Sequence, residues 1–124
     1  MDARICQPSE SEEYYFQEGC HILECWNSPD DPAVSIARAR VAPGNTTRWH
    51  KLQGVTERYV ILQGSGEVEV GECPATAVSD GAVVVIPSDC RQRIRNTGGQ
   101  DLIFLAVCSP RFTPSVYQAL NDDG

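Results

Sequence analysis

The chain has 124 residues, with 22% charged and 41% hydrophobic, a composition that favours one globular domain. Ten lysines and arginines against seventeen aspartates and glutamates give a net charge of −7, which argues against nucleic acid or an anionic membrane as partner, because phosphate contacts need clustered cations. The sequence shows no apolar run approaching the roughly 18 residues of a membrane span and no signal-peptide pattern, so we expect a cytoplasmic protein.

About nine short strands are predicted along the chain. Residues 1–13 form a loose tail, residues 13–27 supply one or two strands, and residues 33–41 alternate with Arg38 and Arg40 on one face. A further strand ends at His50, and five more follow it, separated by turns that contain Gly, Pro or Asn. Their sequences are ERYVILQG, EVEVG, DGAVVVIP, CRQRIRN and DLIFLAVC. The C-terminal arm, 109–124, has at most one helical turn. This pattern predicts an all-β sandwich or barrel.

Two sets of residues stand at fixed spacings in the middle of the chain. The first set is Gly44, His50, Leu52, Glu57 and Gly64, and the second is Gly81, Pro87, Ser88, Asp89, Gln92 and Asn96. These spacings resemble the two motifs of the cupin superfamily, G-x5-H-x-H-x3,4-E-x6-G and G-x5-P-x-G-x2-H-x3-N. The resemblance covers a motif core of residues 44–96. It implies one cupin-type jelly-roll β-barrel over residues 1–124, and a homodimer, as is frequent among cupins.

The resemblance also implies a metal site, in a degenerate form. Metal-binding cupins use three histidines and one glutamate that project into the barrel. Here His50 and Glu57 match two ligand positions, whereas Leu52 and Gln92 occupy the other two and Asp89 replaces a motif glycine. A three-histidine site within one chain is impossible, because the chain has only two histidines. The expected cofactor is therefore one weakly held divalent ion, Zn, Fe, Mn or Ni, at His50, Glu57 and Gln92.

The alternation of strand residues predicts what surrounds this site. If His50 points inward, so do Arg48 and Leu52, while Trp49 and Lys51 point outward. The same rule applied around Glu57 and Gln92 completes a pocket for a small molecule. Its predicted lining is Arg48, Leu52, Tyr59, Ile61, Cys90, Gln92 and Ile94.

The residues leave three functions open. The first is the metal site. The second is a metal-free pocket in which His50 and Glu57 hydrogen-bond and perform acid/base chemistry on a small carbonyl or sugar-like substrate. In that pocket Tyr59 is a further candidate proton donor, and Arg48 would orient a carboxylate or phosphate. The third is a non-catalytic ligand-binding module whose polar residues satisfy one another.

The sequence favours structural roles for the cysteines and for the run of arginines at positions 91, 93 and 95. The six cysteines form no CxxC pair, and we expect reduced thiols. Cys90 and Cys108 are candidates for reactivity, Cys90 because nearby arginines would lower its pKa, although both fall in apolar strands. Arg91, Arg93 and Arg95 lie on the face opposite Gln92, which predicts a solvated outer face or a dimer contact.

Overall fold

The computed structural model describes residues 1–121; Asp122, Asp123 and Gly124, the end of the predicted C-terminal arm, lie outside the described residues. The all-β prediction is confirmed, with short 3-10 turns at Glu10–Glu12 and Pro114–Val116. Within the described chain, no helix has the length and apolarity needed to cross a bilayer. The strands are β1 Tyr14–Phe16, β2 Cys20–Trp26, β3 Ser35–Val41, β4 His50–Leu52, β5 Thr56–Gln63, β6 Ser65–Val70, β7 Thr76–Ser79, β8 Val83–Ile86, β9 Gln92–Asn96, β10 Leu102–Ser109 and β11 Tyr117–Ala119.

Two antiparallel sheets face each other as a jelly roll. One has six strands in the order β1-β2-β3-β10-β5-β8, and the other has five in the order β11-β4-β9-β6-β7. Two strands, β7 and β11, were not predicted from the sequence. Both are short strands at sheet edges, where few apolar side chains are buried and the alternation is faint.

The core lies between the two sheets. Its largest fully buried apolar side chains are Tyr59, Phe104, Ile61, Ile86, Ile94 and Leu102. Each such burial contributes roughly 1.5–3 kcal/mol to stability. A smaller cluster of Leu52, Val55 and Cys108 packs against Phe112, Val116 and Tyr117 and fixes the C-terminal arm to the barrel.

The outward face of β3 holds the N-terminal tail. Arg38 pairs with Glu10 at 2.6 Å and Glu13 at 3.0 Å, and Arg40 pairs with Glu13 at 2.6 Å. We call these four residues the tail clamp. Because the arginines point outward, the alternate residues of β3, among them Ala39, point into the barrel.

A residue with a left-handed backbone conformation closes the turn before β9. Asp89 has φ of 63° at the position where the second motif has glycine. Its backbone N–H donates to the carbonyl of Leu52 at 3.0 Å, and its carboxylate accepts from the N–H of Gly54 at 3.3 Å. An aspartate tolerates this conformation because its short polar side chain bonds locally. The turn therefore keeps its shape without glycine and links β9 to the β4–β5 connection.

Trp49 points to the outer face, as predicted, yet it is buried. The guanidinium groups of Arg91 and Arg93 lie 4.7 Å and 4.4 Å from its ring centre. Arg93 also donates to Glu69 at 2.8 Å. The arginine run on this face therefore covers a tryptophan, held by cation–π contacts and an ion pair.

Candidate functional site

A cleft opens onto the inner face of the six-stranded sheet. Its cavity volume is about 50 Å³, within about 520 Å³ of unoccupied space that includes open solvent. Glu57 and Tyr59 are the two predicted site residues that line it. Apolar walls with a few polar groups are typical of sites for small organic molecules. The lining of this inner cleft comprises three carboxyls (Glu18, Glu24, Glu57), five aromatic rings (Tyr14, Phe16, Tyr59, Phe104, Phe112) and the smaller Ile22, Ser35, Ala37, Ala39, Ala106 and Cys108.

Glu57 is a buried carboxyl with an incomplete set of hydrogen bonds. It is 8% exposed, and the Cys108 thiol donates to its Oε2 at 3.8 Å. Its Oε1 has no hydrogen-bond partner among the described residues. Burial and then the negative charge of Glu18 raise the pKa of Glu57 to about 8, and the nearby polar side chains of Gln92 and Cys108 partly oppose this rise. The Gln92 side chain is close enough to influence the carboxyl, yet it makes no hydrogen bond of ordinary geometry to Oε1. Glu57 is therefore a carboxylic acid that keeps its proton at neutral pH.

Glu18, like Glu24, is a site residue that was not predicted from the sequence. It lies in the tight connection between β1 and β2, where Gly19 adopts φ of 99° and donates its N–H to the carbonyl of Phe16 at 3.0 Å. This hairpin carries Glu18 into the cleft, with its Oε2 3.7 Å from Nε2 of His50. The available signal was a Glu-Gly pair between two apolar runs, which marks a turn. Nothing in it linked residue 18 to residue 50.

His50 is held from two sides. It is 1% exposed, its Nδ1 lies 2.6 Å from the carbonyl oxygen of Arg48, and its ring stacks on Tyr117 at 5.2 Å. A carbonyl only accepts, so Nδ1 carries a proton and Nε2 faces the carboxylate of Glu18. The predicted His50–Glu57 hydrogen bond is not among the contacts of the described residues. The two sit on strands of opposite sheets, and each has another partner.

Gln92 lies beside His50 across the β4–β9 ladder. Its side-chain oxygen accepts a hydrogen bond from the hydroxyl of Tyr59. Burial raises the pKa of Tyr59 well above its ordinary value, so the hydroxyl stays protonated and donates to Gln92. Tyr59 thus presents its ring to the cleft while its hydroxyl bridges the two sheets.

The other predicted lining residues do not border the inner cleft. Ile61 and Ile94 belong to the main core, and Cys90 packs against that core. Leu52 lies under the C-terminal arm. Arg48 is exposed, because β4 begins only at His50 and the alternation rule does not extend back to it. These five positions, and Gln92 with them, lie outside the lining of the inner cleft.

The side chains at the predicted metal site do not fit an ion as they are arranged. In residues 1–121, no three His, Cys, Asp or Glu side chains come together as a ligand group. The oxygen of Gln92 is bonded to Tyr59, Nε2 of His50 faces Glu18, and Glu57 holds a proton. A bound ion would have to displace the first two contacts and the proton of Glu57.

The cysteines near the site are poor nucleophiles. Burial raises the pKa of Cys20, Cys90 and Cys108. For Cys90 this corrects the expectation of a lowered pKa, since desolvation outweighs the attraction of Arg91. Thiols that stay protonated serve as small core groups and, at Cys108, as a hydrogen-bond donor to Glu57.

Comparison with known proteins agrees with this architecture. A family model described as the cupin domain matches residues 37–108, more than half of the chain. KdgF from Halomonas superposes with a TM-score of 0.79 at 17% identity, over 92% of this chain and 99% of its own. A variant of Streptomyces PAC13, a nucleoside dehydratase, solved with uridine, superposes with a TM-score of 0.76 at 14% identity, over 98% and 93%. No curated protein matches the sequence. The cupin-type jelly roll is thus confirmed, and the chain belongs to the cupin family.

Proposed function

We propose that the protein binds a small organic molecule in the inner cleft and transfers protons to and from it through Glu57 and Glu18. The observation that carries this proposal is the buried Oε1 of Glu57, which has no partner among the described residues. Buried polar atoms in native proteins nearly always have a hydrogen-bond partner. A hydroxyl or carbonyl of a bound molecule would supply the missing bond.

The two carboxyls have environments that suit opposite roles. Glu57 is buried and protonated, whereas Glu18 faces the imidazole of His50. In the proposed reaction Glu57 gives its proton to an oxygen of the substrate and Glu18 takes a proton from a neighbouring carbon. The electron pair of the C–H bond forms a C=C bond. In elimination the C–O bond breaks and the protonated oxygen leaves as water, whereas in isomerisation the protonated carbonyl becomes an enol, and solvent then returns Glu57 and Glu18 to their starting states. Such paired transfers serve elimination and isomerisation.

One structural neighbour favours this reaction class. Streptomyces PAC13 is a nucleoside dehydratase and was solved with uridine. Dehydration requires an acid for the departing hydroxyl and a base for the carbon-bound proton. The likeness to this neighbour is one of fold, at 14% identity, so the argument depends on the carboxyls of this chain.

Isotope exchange tests the proposal. A panel of neutral hydroxyl and carbonyl compounds, uridine among them, is incubated with the protein in D₂O and followed by proton NMR. We expect exchange of carbon-bound hydrogen or loss of water with at least one compound, reduced about 100-fold or more in Glu57→Gln and in Glu18→Gln. Glu72→Gln, a solvent-exposed change outside the cleft, is the matched control. Full activity in Glu57→Gln would refute the role of that residue. Binding without any reaction would instead support the non-catalytic module.

We also propose a homodimer formed through the outer face of the six-stranded sheet. Leu62, Val83 and Val85 on this face are 47%, 59% and 62% exposed. Val60 pairs with Val83 across the β5–β8 ladder and extends the apolar surface. β8 is also an edge strand, so a second copy would cover both the apolar side chains and the open backbone edge.

A further inference from the structure

The inner cleft is acidic without compensation. None of its fourteen lining residues, all in the described part of the chain, is Lys, Arg or His, while three are glutamates. Glu18 has His50 as a partner at 3.7 Å. Glu24 and Glu57 make no ion pair with any residue between 1 and 121. An ionised carboxyl taken out of water without a counter-charge destabilises the fold. Glu57 avoids this cost by keeping its proton and Glu18 lies beside His50, so Glu24 is the carboxyl that calls for a cation from outside the chain.

Glu24 combines this missing counter-charge with aromatic neighbours. It is half-buried on β2, and its carboxylate accepts a hydrogen bond from the hydroxyl of Tyr14 at 3.4 Å. The side chain of Asn27 is a second, neutral hydrogen-bond partner, so neither neighbour supplies a positive charge. Burial raises the pKa of Glu24. Tyr14 and Phe16 alternate on β1 and both line the cleft, and Phe112 meets Phe16 edge to face at 6.4 Å. The carboxyl of Glu24 therefore lies at the hydroxyl of Tyr14, and the rings of Phe16 and Phe112 belong to the same lining.

We propose that the ligand of the inner cleft carries a protonated amine, bound by Glu24 beside the rings of Tyr14 and Phe16. The ammonium group gains a carboxylate contact and a cation–π contact there, while the apolar remainder packs on Phe104 and the alanines. A phosphate or carboxylate ligand meets three glutamates and no cation in the lining. This replaces the sequence expectation that Arg48 orients an anion.

The buried Oε1 of Glu57 is the independent sign that the cleft takes a ligand. The inference rests on the proposed function, since both use the same cleft. It assigns the two free carboxyls different tasks. Glu24 holds the cation, and Glu57 remains available to donate its proton.

A cation at Glu24 also sets the direction of pH dependence. An ammonium group favours the ionised carboxylate, so binding releases a proton and affinity rises with pH until Glu24 is ionised in the free protein. A neutral ligand that accepts a hydrogen bond from a protonated carboxyl shows the reverse trend. The other titratable groups in or beside the cleft are Tyr14 on β1, Glu18 in the turn, Cys20 on β2, His50 on β4, Glu57 and Tyr59 on β5, Cys108 on β10, and Tyr117 on β11 with Arg48 near it.

Three probes of one shape and different charge test the inference: 2-phenylethylamine, 2-phenylethanol and 3-phenylpropionate. Their affinities are measured by NMR titration of the whole protein at pH 6, 7 and 8. We expect the amine to bind about tenfold or more tighter than the alcohol, the anion to bind weakest, and amine affinity to rise with pH. In Glu24→Gln the amine and the alcohol should bind about equally. Glu72→Gln, which lies outside the cleft, should match wild type.

Each contrary outcome has a defined meaning. Equal or tighter binding of the alcohol or the anion, or no binding of any probe, overturns the proposed ligand class. An amine advantage that survives in Glu24→Gln overturns the role of Glu24. If Glu24→Gln fails to fold, Glu24→Asp, which keeps the charge on a shorter side chain, should retain the amine preference. Exchange in D₂O that depends on Glu57 is measured separately, so the proposed function stands or fails on its own result.

Discussion

At the scale of single residues, the main feature is a carboxyl buried without a counter-charge. The pKa of Glu57 rises from 4.5 to about 8 on folding, through burial first and the charge of Glu18 second. The folded protein therefore keeps a proton that the unfolded chain has lost between these two pH values. The sign follows directly: stability falls as pH rises through this window.

Replacing Glu57 by glutamine should remove this dependence. We expect the free energy of unfolding of Glu57→Gln to exceed that of wild type by about 2–4 kcal/mol at pH 8 and to differ little at pH 5. Chemical denaturation at the two pH values measures it, with Glu72→Gln as the control. An identical pH slope in wild type and Glu57→Gln would contradict a raised pKa.

Removing the neighbouring charge should shift the same titration. Because the charge of Glu18 opposes ionisation of Glu57, Glu18→Gln should lower the pKa of Glu57. Carbon-13 NMR of labelled glutamate carboxyls follows the midpoint in both proteins. A Glu57 titration midpoint that is unchanged or higher in Glu18→Gln would show that the charge of Glu18 does not raise the pKa of Glu57.

Metal loading provides a third test at this scale. Since the side chains at His50, Glu57 and Gln92 are engaged with other groups, we expect far less than one equivalent of Zn²⁺ after loading and dialysis. His50→Ala should retain the same amount by elemental analysis. One tightly held equivalent in wild type that disappears in His50→Ala would restore the predicted metal site.

At the scale of elements, the tail clamp ties the N-terminal segment to β3. Glu13 bonds to both Arg40 and Arg38, and these bonds lower its pKa to about 2. A depressed pKa stabilises the fold above the ordinary value near 4.5, and this contribution is lost as pH falls towards 2. The acidic tail that the sequence predicted to be loose is therefore paired at its inner end.

Glu13→Gln should release this segment. We expect a loss of about 1–2 kcal/mol in unfolding free energy and faster amide hydrogen exchange in β1 and β2, with the rest of the barrel unaffected. Exchange mass spectrometry at pH 7 measures the effect, and Glu72→Gln again provides the exposed control. If amide exchange in β1 and β2 is equally slow in Glu13→Gln and in Glu72→Gln, the tail clamp contributes little to holding this segment.

The elements also show how far sequence reasoning extends. On β5 the two-residue alternation holds, and Glu57, Tyr59 and Ile61 are buried in turn. It fails at Arg48, which is exposed, because residues 47–49 are not a strand and alternation cannot be extended back through them. Turn glycines and motif spacing were sufficient to predict the fold. The partner of His50 was beyond reach, because Glu18 comes from a hairpin 32 positions earlier that no periodicity connects to β4.

At the scale of the whole molecule, the outer face of the six-stranded sheet should decide the oligomeric state. We expect wild type to be a dimer and the Val83→Lys, Val85→Lys double variant a monomer, since two desolvated lysines oppose association. Light scattering after size exclusion measures the masses. Thr76→Lys, on the exposed edge of the other sheet, should stay dimeric. A monomeric wild-type protein would contradict the proposed interface.

The stacking of arginines on aromatic rings has a spectroscopic consequence. The chain has two tryptophans, and each lies under guanidinium groups, Trp49 under Arg91 and Arg93 in the barrel and Trp26 under Arg4 of the tail at 5.2 Å. Trp26 also donates its indole N–H to Asp31 at 2.8 Å. The native chain thus contains two intrinsic fluorophores in separate surroundings. Detachment of the tail should change the emission of Trp26 alone, whereas collapse of the barrel should change both.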